Sequence, residues 1–213
     1  MHSRKHAVFT SCGDRSKCFE LWSGKNRKYD LICSYYGKDE RYFKKYSDNF
    51  DFVISRKGSK FQNFFSLYRQ SKFLHSYERI FILDDDIILN TEEINNMFDF
   101  SNEFDLEICQ PSFRLESKIS HSITKQLQSN PIGRYTNFIE VNTPLMTKKS
   151  IQNLDSVYDY SLIGWGIDFL FIWINNNRQI PFIPCKKFAI NDKVCCINPY
   201  DREMGKEGRE LNK

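Results

Sequence analysis

The sequence predicts a single-domain α/β fold in which a mainly parallel central sheet is flanked by helices. Short apolar segments typical of buried strands alternate with stretches in which apolar residues recur at helical spacing. Three consecutive aspartates follow directly on one of the apolar segments. Because ligands in such sheets bind beyond the carboxyl ends of the strands, we expect the functional site at that edge.

Three strands are predicted near the start of the chain, over His6–Cys12, residues 29–36 and residues 50–55. Each is followed by a glycine or by a basic turn that contains glycine, and glycine commonly ends a strand. Between the second and third strands, residues 39–48 carry aromatic side chains at helical spacing and predict a helix.

The middle of the chain predicts a helix over residues 60–75 and a dense apolar strand over residues 79–83 that ends at the aspartates. A second helix is expected to begin with Thr91 as its N-cap, followed by a buried strand over residues 106–110.

The second half is less regular. Residues 112–134 are polar and predict a loop, residues 137–146 predict a strand, and residues 168–175 predict the start of a helix.

The chain has 213 residues, of which 40% are hydrophobic and 15% aromatic, so it can bury the core of one ordinary domain. We expect that domain to span residues 1–198. Residues 199–213 are charged and have little to bury, which predicts a tail or a linker to further domains of a longer parent chain.

The formal net charge is +4, with charges of both signs interspersed along the chain. Nucleic-acid binders concentrate Lys and Arg on one face, so we expect no nucleic-acid partner. Seven scattered cysteines, without a C-x-x-C pair, predict reduced thiols. The first apolar run is too short for a signal peptide or a membrane span, so a soluble cytoplasmic protein is expected.

The most informative segment is the cluster Asp84-Asp85-Asp86 after the apolar strand. Adjacent carboxylates repel one another, so the cluster costs stability unless a cation or several hydrogen-bond donors compensate. Strand alternation directs Asp84 and Asp86 to one side, and Mg²⁺ binds one or two carboxylates together with substrate phosphates. The alternative interpretation is a solvated acidic turn.

An apolar strand that ends in Asp-x-Asp resembles the metal-binding signature of glycosyltransferases with the GT-A fold. Three later segments strengthen the resemblance: ICQPS at residues 108–112, YTNFIEV at residues 135–141 and GWGIDF at residues 164–169. In this order they resemble a family of mostly uncharacterised GT-A-like proteins of bacteria and plants. Glycosyltransferase domains of large algal viruses are a second match. The resemblance covers roughly residues 81–198.

The resemblance implies a Rossmann-like GT-A domain. Residues 1–110 would hold the nucleotide and the metal, and residues 111–198 would hold the acceptor. It implies transfer of a hexose or deoxyhexose from a nucleotide sugar, a UDP-sugar, to a carbohydrate acceptor in glycan biosynthesis. Mn²⁺ or Mg²⁺ would bridge the donor phosphates and help the nucleoside diphosphate to leave. If the chain is viral, its location would be the host cytoplasm.

The same resemblance assigns roles within the acidic cluster. It implies that Asp86 contacts the metal and that Asp84 contacts the ribose or, through water, the metal. It places Asp85 beside them against the donor.

The first strand and its turn hold the nucleotide in GT-A enzymes, which here implies Thr10, Ser11, Gly13 and Arg15. Backbone amides around a glycine and nearby hydroxyls suit a base or a ribose, and Arg15 could reach phosphate. An ordinary strand-to-helix turn is the alternative.

A basic loop at residues 56–60 follows the third strand and opens a helix, which makes a natural anion site. We expect Arg56 and Lys60 to contact the donor, although a solvated basic loop is the alternative. Tyr35 or Tyr36 could stack on the base, or both could belong to the core.

The GWGID segment resembles the Trp-Gly-x-Glu/Asp-Asp motif of several GT-A enzymes, whose acidic residue faces the acceptor hydroxyl. An attacking alcohol must lose its proton, so Asp168 is the candidate general base. Trp165 offers an apolar face for a sugar ring. Asp168 could equally serve as a helix N-cap. Only one acid stands where some relatives carry two, which leaves the stereochemistry open.

The resemblance also implies that Arg134, Asn137 and Glu140 line the pocket for the acceptor or the donor sugar. For Glu140, a solvated residue on a strand face is the alternative.

Family members commonly place a metal-binding His after the last core strand. This sequence has Asn198 there, with Asp192 as a nearby oxygen ligand. No two of the four His form a metal-type pair, so no zinc site is expected.

Two other functions remain open. An Asp-based phosphohydrolase also carries Asp-x-Asp after a strand, but usually on its first strand and with later acidic partners. A catalytically inactive module that binds sugar or nucleotide could share the fold, because a fold does not determine function.

Overall fold

The computed structural model describes residues 4–16, 18–129, 132–179 and 183–199. An eight-stranded sheet forms its centre, in the order β3-β2-β1-β4-β7-β5-β8-β6. The strands are β1 His6–Cys12, β2 Tyr29–Tyr35, β3 Phe52–Ser55, β4 Arg79–Ile82, β5 Ile108–Phe113, β6 Gly133–Thr136, β7 Leu145–Thr147 and β8 Cys185–Cys196.

The sheet is mixed: six of its eight described strands run in one direction, so it is mainly but not purely parallel. Strands β1 to β4 pair in parallel with one another, and β5 pairs in parallel with β8. Strand β7 runs antiparallel between β4 and β5, and β6 runs antiparallel along β8. The two antiparallel strands, β6 and β7, lie in the less regular second half of the sequence. No sequence pattern there indicates the direction in which a strand runs.

Helices cover both faces of the sheet. They are α1 Cys18–Trp22, α2 Glu40–Asn49, α3 Lys60–Gln70, α4 Thr91–Glu103, α5 Lys148–Asp155 and α6 Ile167–Asn175, with short 3-10 helices at Lys72–Ser76 and Ser122–Thr124. Among the described residues, no helix combines the length and the apolar character that a bilayer crossing demands.

The core consists of two clusters, one on each face of the sheet. Neighbouring residues of β1 belong to different clusters, because successive side chains of a strand point to opposite faces of the sheet. Val8 packs with Trp22 and Phe98 on the face of α1 and α4, whereas Phe9 packs with Phe64 and Phe171 on the face of α3 and α6. Burial on both faces explains why the strands are almost continuously apolar.

The predicted N-cap of α4 is wrong by one residue. Asn90 is the N-cap: its side chain accepts from the backbone N–H of Glu93, and the Glu93 carboxylate accepts from the N–H of Asn90. Thr91 is the first helical residue, and its hydroxyl oxygen instead accepts from the N–H of Gly24 at 2.9 Å. Sequence alone could not distinguish two adjacent residues that are both good caps.

The strand predicted over residues 137–146 is also wrong. Only Leu145–Thr147 pairs into the sheet, as β7. The hydroxyl of Thr136 accepts from the N–H of Phe138 at 3.1 Å, which turns the chain out of β6. Residues 137–144 then form a loop beside the end of β4, where the N–H groups of Ile82 and Asp84 donate to the carbonyls of Pro144 and Asn142. Ile139 of this loop is buried in the core, whereas Glu140, Val141 and Asn142 line the functional site.

The predicted helix over residues 60–75 is two helices, because α3 ends at Gln70 and a 3-10 helix follows. Most of the predicted tail, residues 200–213, lies outside the described residues. The division into a nucleotide half and an acceptor half stays a prediction.

Candidate functional site

A cavity of about 440 Å³ opens at the carboxyl ends of β1 to β4. The first half of the chain contributes Ser11, Tyr36, Gly58, Ser59, Lys60, Phe61, Asp84 and Asp85 to its wall. The second half contributes Ser120, His121, Glu140, Val141, Asn142, Ile163, Gly164, Trp165 and Asp168. Residues that the sequence analysis assigned to donor, acceptor and catalysis therefore meet in one cavity.

The middle aspartate of the cluster is held by the turn after β1. Asp85 accepts from the hydroxyl of Ser16, from the N–H of Gly13 at 3.3 Å and from the hydroxyl of Tyr36 at 3.4 Å. Tyr46 supports this turn, since its hydroxyl binds the carbonyls of Gly13 and Ser16. Asp85 thus faces the predicted nucleotide segment, with its position set by several donors.

The first aspartate is paired with a buried lysine. Lys60 Nζ lies 2.7 Å from Asp84 Oδ1, and its side chain is only 9% exposed. The same ammonium donates to the carbonyls of Val141 at 2.8 Å and Asn142 at 3.1 Å, with Ile82 at 3.4 Å. Lys60 therefore joins the start of α3, the end of β4 and the loop over residues 137–144.

The third aspartate has no such partner. No neighbouring side chain among the described residues donates to Asp86, which is half-buried. Burial, followed by repulsion from Asp84 and Asp85, raises the pKa of Asp86 to about 7. Burial, opposed by the Ser16 hydrogen bond, raises the pKa of Asp85 to about 6. The cluster thus holds carboxylates whose negative charge is only partly compensated.

The acidic cluster offers the carboxylates of Asp84 and Asp86 to a divalent cation, but Asp84 is already paired with Lys60. Hard cations prefer carboxylate oxygens, and no side chain among the described residues donates to those of Asp86, although Lys60 lies near enough to act on its charge. Asn198 lies beside this segment, because Ile88 and Ile197 pair across an antiparallel bridge. Within the described residues, no group of three or more His, Cys, Asp or Glu is arranged to hold a metal.

Asp192 is engaged elsewhere. It lies on β8, forms an ion pair with Arg134 and accepts from the N–H of Leu127 at 3.0 Å. Arg134 also donates to the carbonyls of Ile123 and Lys125. Neither Asp192 nor Arg134 lines the main cavity. Their contacts hold the segment that precedes β6 against strand β8.

The candidate base lines the same cavity as Asp84 and Asp85. Asp168 is the second residue of α6 and is 9% exposed. It is not the N-cap: Gly166 occupies that position with a left-handed φ of 88°, which favours glycine. The carboxylate of Asp168 accepts from the N–H of Phe169 at 3.1 Å. The helix start therefore positions Asp168 in the cavity wall, with Trp165 at the rim.

Glu140 is a buried wall residue and not a solvated strand residue. Its carboxylate accepts from the hydroxyl of Thr124 and from the side-chain amide of Asn142, both at 3.2 Å. Burial raises its pKa. Neighbouring His121 also lines the cavity and was missed by the sequence analysis, because an isolated His in a polar loop carries no signal.

Several predicted donor residues do not line the cavity. Thr10 is fully buried in β1, and Arg15 is exposed. The hydroxyl of Tyr35 binds the Asp14 carboxylate and the Asp39 carbonyl, which keeps this ring in the core. Its neighbour Tyr36 lines the cavity instead, since adjacent residues at the end of a strand point in opposite directions.

Other predicted residues are also outside the wall, among them Gly13, Asp86 and Asn198. Arg56 turns onto α3, where it donates to the hydroxyl of Ser66 at 2.9 Å and to the Asn63 side chain at 3.0 Å. Asn137 is half-buried in the loop after β6. Of the predicted site residues, the cavity wall includes Ser11, Lys60, Asp84, Asp85, Glu140, Trp165 and Asp168.

We expect the Lys60→Met variant to lose about 2–4 kcal/mol of unfolding free energy, because Asp84 loses a charged partner and two loop carbonyls lose a donor. Exposed Lys57 is the matched control, and Lys57→Met should change stability by less than about 0.5 kcal/mol. Urea denaturation measures both. Equal stability of the two variants would show that Lys60 is a solvated surface residue.

The raised pKa values predict a pH dependence of stability. An unfolded Asp titrates near pH 4, so between about pH 4 and 7 the folded chain keeps protons that the unfolded chain has released. Stability therefore falls as the pH rises through this range. Asp86→Asn should flatten that slope and stabilise the protein at pH 8 by about 1–3 kcal/mol. Exposed Asp48 provides a control variant, Asp48→Asn, that keeps the slope. An unchanged slope in Asp86→Asn refutes this explanation.

No protein-family model and no curated protein matches this chain. Its fold is nevertheless similar to solved structures of S. aureus TarS. One TarS structure has a TM-score of 0.65 at 11% identity and covers 98% of this chain and 38% of the TarS chain. TarS 1–349 in complex with UDP-GlcNAc has a TM-score of 0.65 at 13% identity, covering 95% and 61%. The complex with UDP has a TM-score of 0.61 at 11% identity, covering 97% and 63%.

The chain thus spans less than two thirds of the TarS chains that it matches. At such low identity the likeness establishes the fold and not the activity. The chain shares the fold of TarS and is built as one α/β domain around a mixed sheet.

Proposed function

We propose that this chain is a glycosyltransferase that moves a hexose or deoxyhexose from a UDP-sugar to a hydroxyl of a carbohydrate acceptor, with Mn²⁺ or Mg²⁺. The observation that carries the proposal is the shared cavity. Asp84 and Asp85 after β4 and Trp165 and Asp168 at the start of α6 are far apart in sequence yet line the same wall. If the aspartates formed only a structural turn, and Asp168 only stabilised the start of a helix, the two segments would have no reason to line one cavity.

The donor side has the features of a nucleotide-sugar site. The cavity lies at the carboxyl ends of parallel strands, where ligands bind in open α/β sheets. Gly58, Ser59 and Lys60 bring the N-terminus of α3 to its wall, and a helix N-terminus favours anions. Tyr36 offers an aromatic ring and Ser11 a hydroxyl. TarS, which shares the fold, was solved with UDP and with UDP-GlcNAc.

Asp86, beside Asp84, would hold the divalent cation, with Asn198 close to the same segment. When bound, the cation neutralises charge on the donor diphosphate and so stabilises the leaving nucleoside diphosphate. Lys60 contributes indirectly: it already neutralises Asp84 and has four oxygen partners, so its role is to position the wall.

Asp168 is the candidate base. The acceptor oxygen forms a bond to the anomeric carbon of the donor while the bond from that carbon to the diphosphate oxygen breaks. The hydroxyl proton passes to a carboxylate oxygen of Asp168, and UDP leaves with the bonding electron pair. The N–H of Phe169 holds the Asp168 carboxylate in place. Glu140 lines the same cavity and contributes polar contacts to the sugars.

A donor panel tests the proposal. We expect wild-type protein with Mn²⁺ to release a nucleoside diphosphate from at least one UDP-sugar when a mixture of neutral oligosaccharides is supplied, and chelation with EDTA to stop the release. Binding of UDP-sugars without any turnover would instead identify a binding module. Absence of both binding and turnover refutes the proposed function.

The Asp168→Asn variant separates binding from chemistry. It keeps the side-chain size but removes the base, so transfer should fall by about 10²–10⁴-fold while UDP affinity stays nearly unchanged. The Asp48→Asn variant, an exposed acid on α2, should transfer at the wild-type rate. Transfer rates and UDP calorimetry measure the two quantities. Near-normal transfer by Asp168→Asn would show that Asp168 only stabilises the start of α6.

A further inference from the structure

An aromatic rim borders the mouth of the cavity on the α6 side. Trp165 is 88% exposed and Phe169 is 57% exposed, which is unusual for side chains of this size. Trp165 lines the cavity, and Phe169 lies four residues further along the chain, in the first turn of α6. A single exposed apolar residue needs no explanation, but two large aromatic residues beside one polar cavity form a surface that can bind a ligand.

The rim is continuous with the cavity wall. The rings of Phe138 and Phe169 lie 6.2 Å apart at their centroids, in an edge-to-face arrangement. On its other side, Phe138 lies 4.5 Å from the ring of His121, and His121 lines the cavity. A path of aromatic rings therefore leads from the inside of the cavity to the surface of α6.

The charge of the wall restricts which ligand can lie along this path. Among the described residues that line the cavity, Asp84, Asp85, Glu140 and Asp168 are acidic. The basic Lys60 is already occupied by Asp84 and by backbone carbonyls. The negative charges of an anionic polymer would be repelled by these carboxylates. A neutral sugar chain suits it, because hydroxyls donate to carboxylates and the apolar faces of sugar rings pack on aromatic rings.

We infer that the acceptor is a neutral oligosaccharide of at least two rings. The reacting ring lies between Trp165 and Asp168, and the following ring packs on Phe169 and Phe138. The identification of these sugars as an acceptor rests on the proposed glycosyltransferase function. The second sugar subsite itself follows from the aromatic path and the acidic wall.

Tryptophan fluorescence can test the subsite without turnover. Trp22 is fully buried, so a Trp173→Phe background leaves Trp165 as the responsive exposed indole. The probes are chito-, cello-, malto- and manno-oligosaccharides of one to four units. We expect at least one series to bind, with affinity rising about two- to tenfold from one to two units.

In the same background, Phe169→Ala should remove this gain and leave the affinity for the monosaccharide unchanged. Leu115→Ala, which removes a side chain that is 64% exposed elsewhere on the surface, should keep the gain. Equal affinity for one and two units, a gain that survives Phe169→Ala, or no binding by any series overturns the inference. Stronger binding of phosphatidylglycerol vesicles or of polygalacturonate than of every neutral series overturns it as well.

Release of UDP from the donor panel, measured in parallel, keeps the two proposals apart. A length-dependent affinity without donor turnover would remove the proposed function and keep a neutral-sugar site. Donor turnover without the length dependence would remove the second subsite and keep the proposed function.

Discussion

The contact on which the site depends is the buried ammonium of Lys60. It binds Asp84 and the carbonyls of Ile82, Val141 and Asn142. A buried ammonium is tolerated only when its donors are satisfied, so this geometry constrains three segments at once. It fixes the start of α3, the end of β4 and the loop over residues 137–144. All three segments contribute to the cavity wall, so the contacts of Lys60 connect its parts.

A second constraint is electrostatic. Lys60 compensates one carboxylate of the cluster and hydrogen-bond donors hold Asp85, but Asp86 keeps a raised pKa through burial and repulsion. Without a cation, repulsion within the carboxylate cluster therefore lowers the stability of the folded protein. A bound divalent cation with its diphosphate ligand would remove this destabilisation. The same negative wall that favours a cation disfavours an anionic acceptor, so one feature restricts both ligands of the proposed reaction.

The sequence predicted the parts of the site that depend on local chemistry. Asp84 and Asp85 follow an apolar strand, and Asp168 lies at the start of an apolar helix; all three line the cavity. Local sequence patterns could not decide the positions that tertiary contacts set. The choice between Tyr35 and Tyr36 depends on which side of a strand end faces the cavity. The role of Lys60 depends on carbonyls about 80 positions away in sequence, a separation that no local pattern encodes.

A crystal structure with UDP and Mn²⁺ tests the central claim most directly, because anomalous scattering locates the manganese independently of the protein atoms. We expect a manganese peak at the carboxylate of Asp86, with the diphosphate of UDP between it and the N-terminus of α3. We also expect Lys60 to keep its contact with Asp84. UDP bound outside the cavity between Asp84 and Asp168, or bound in it with no manganese at Asp86, would contradict the account.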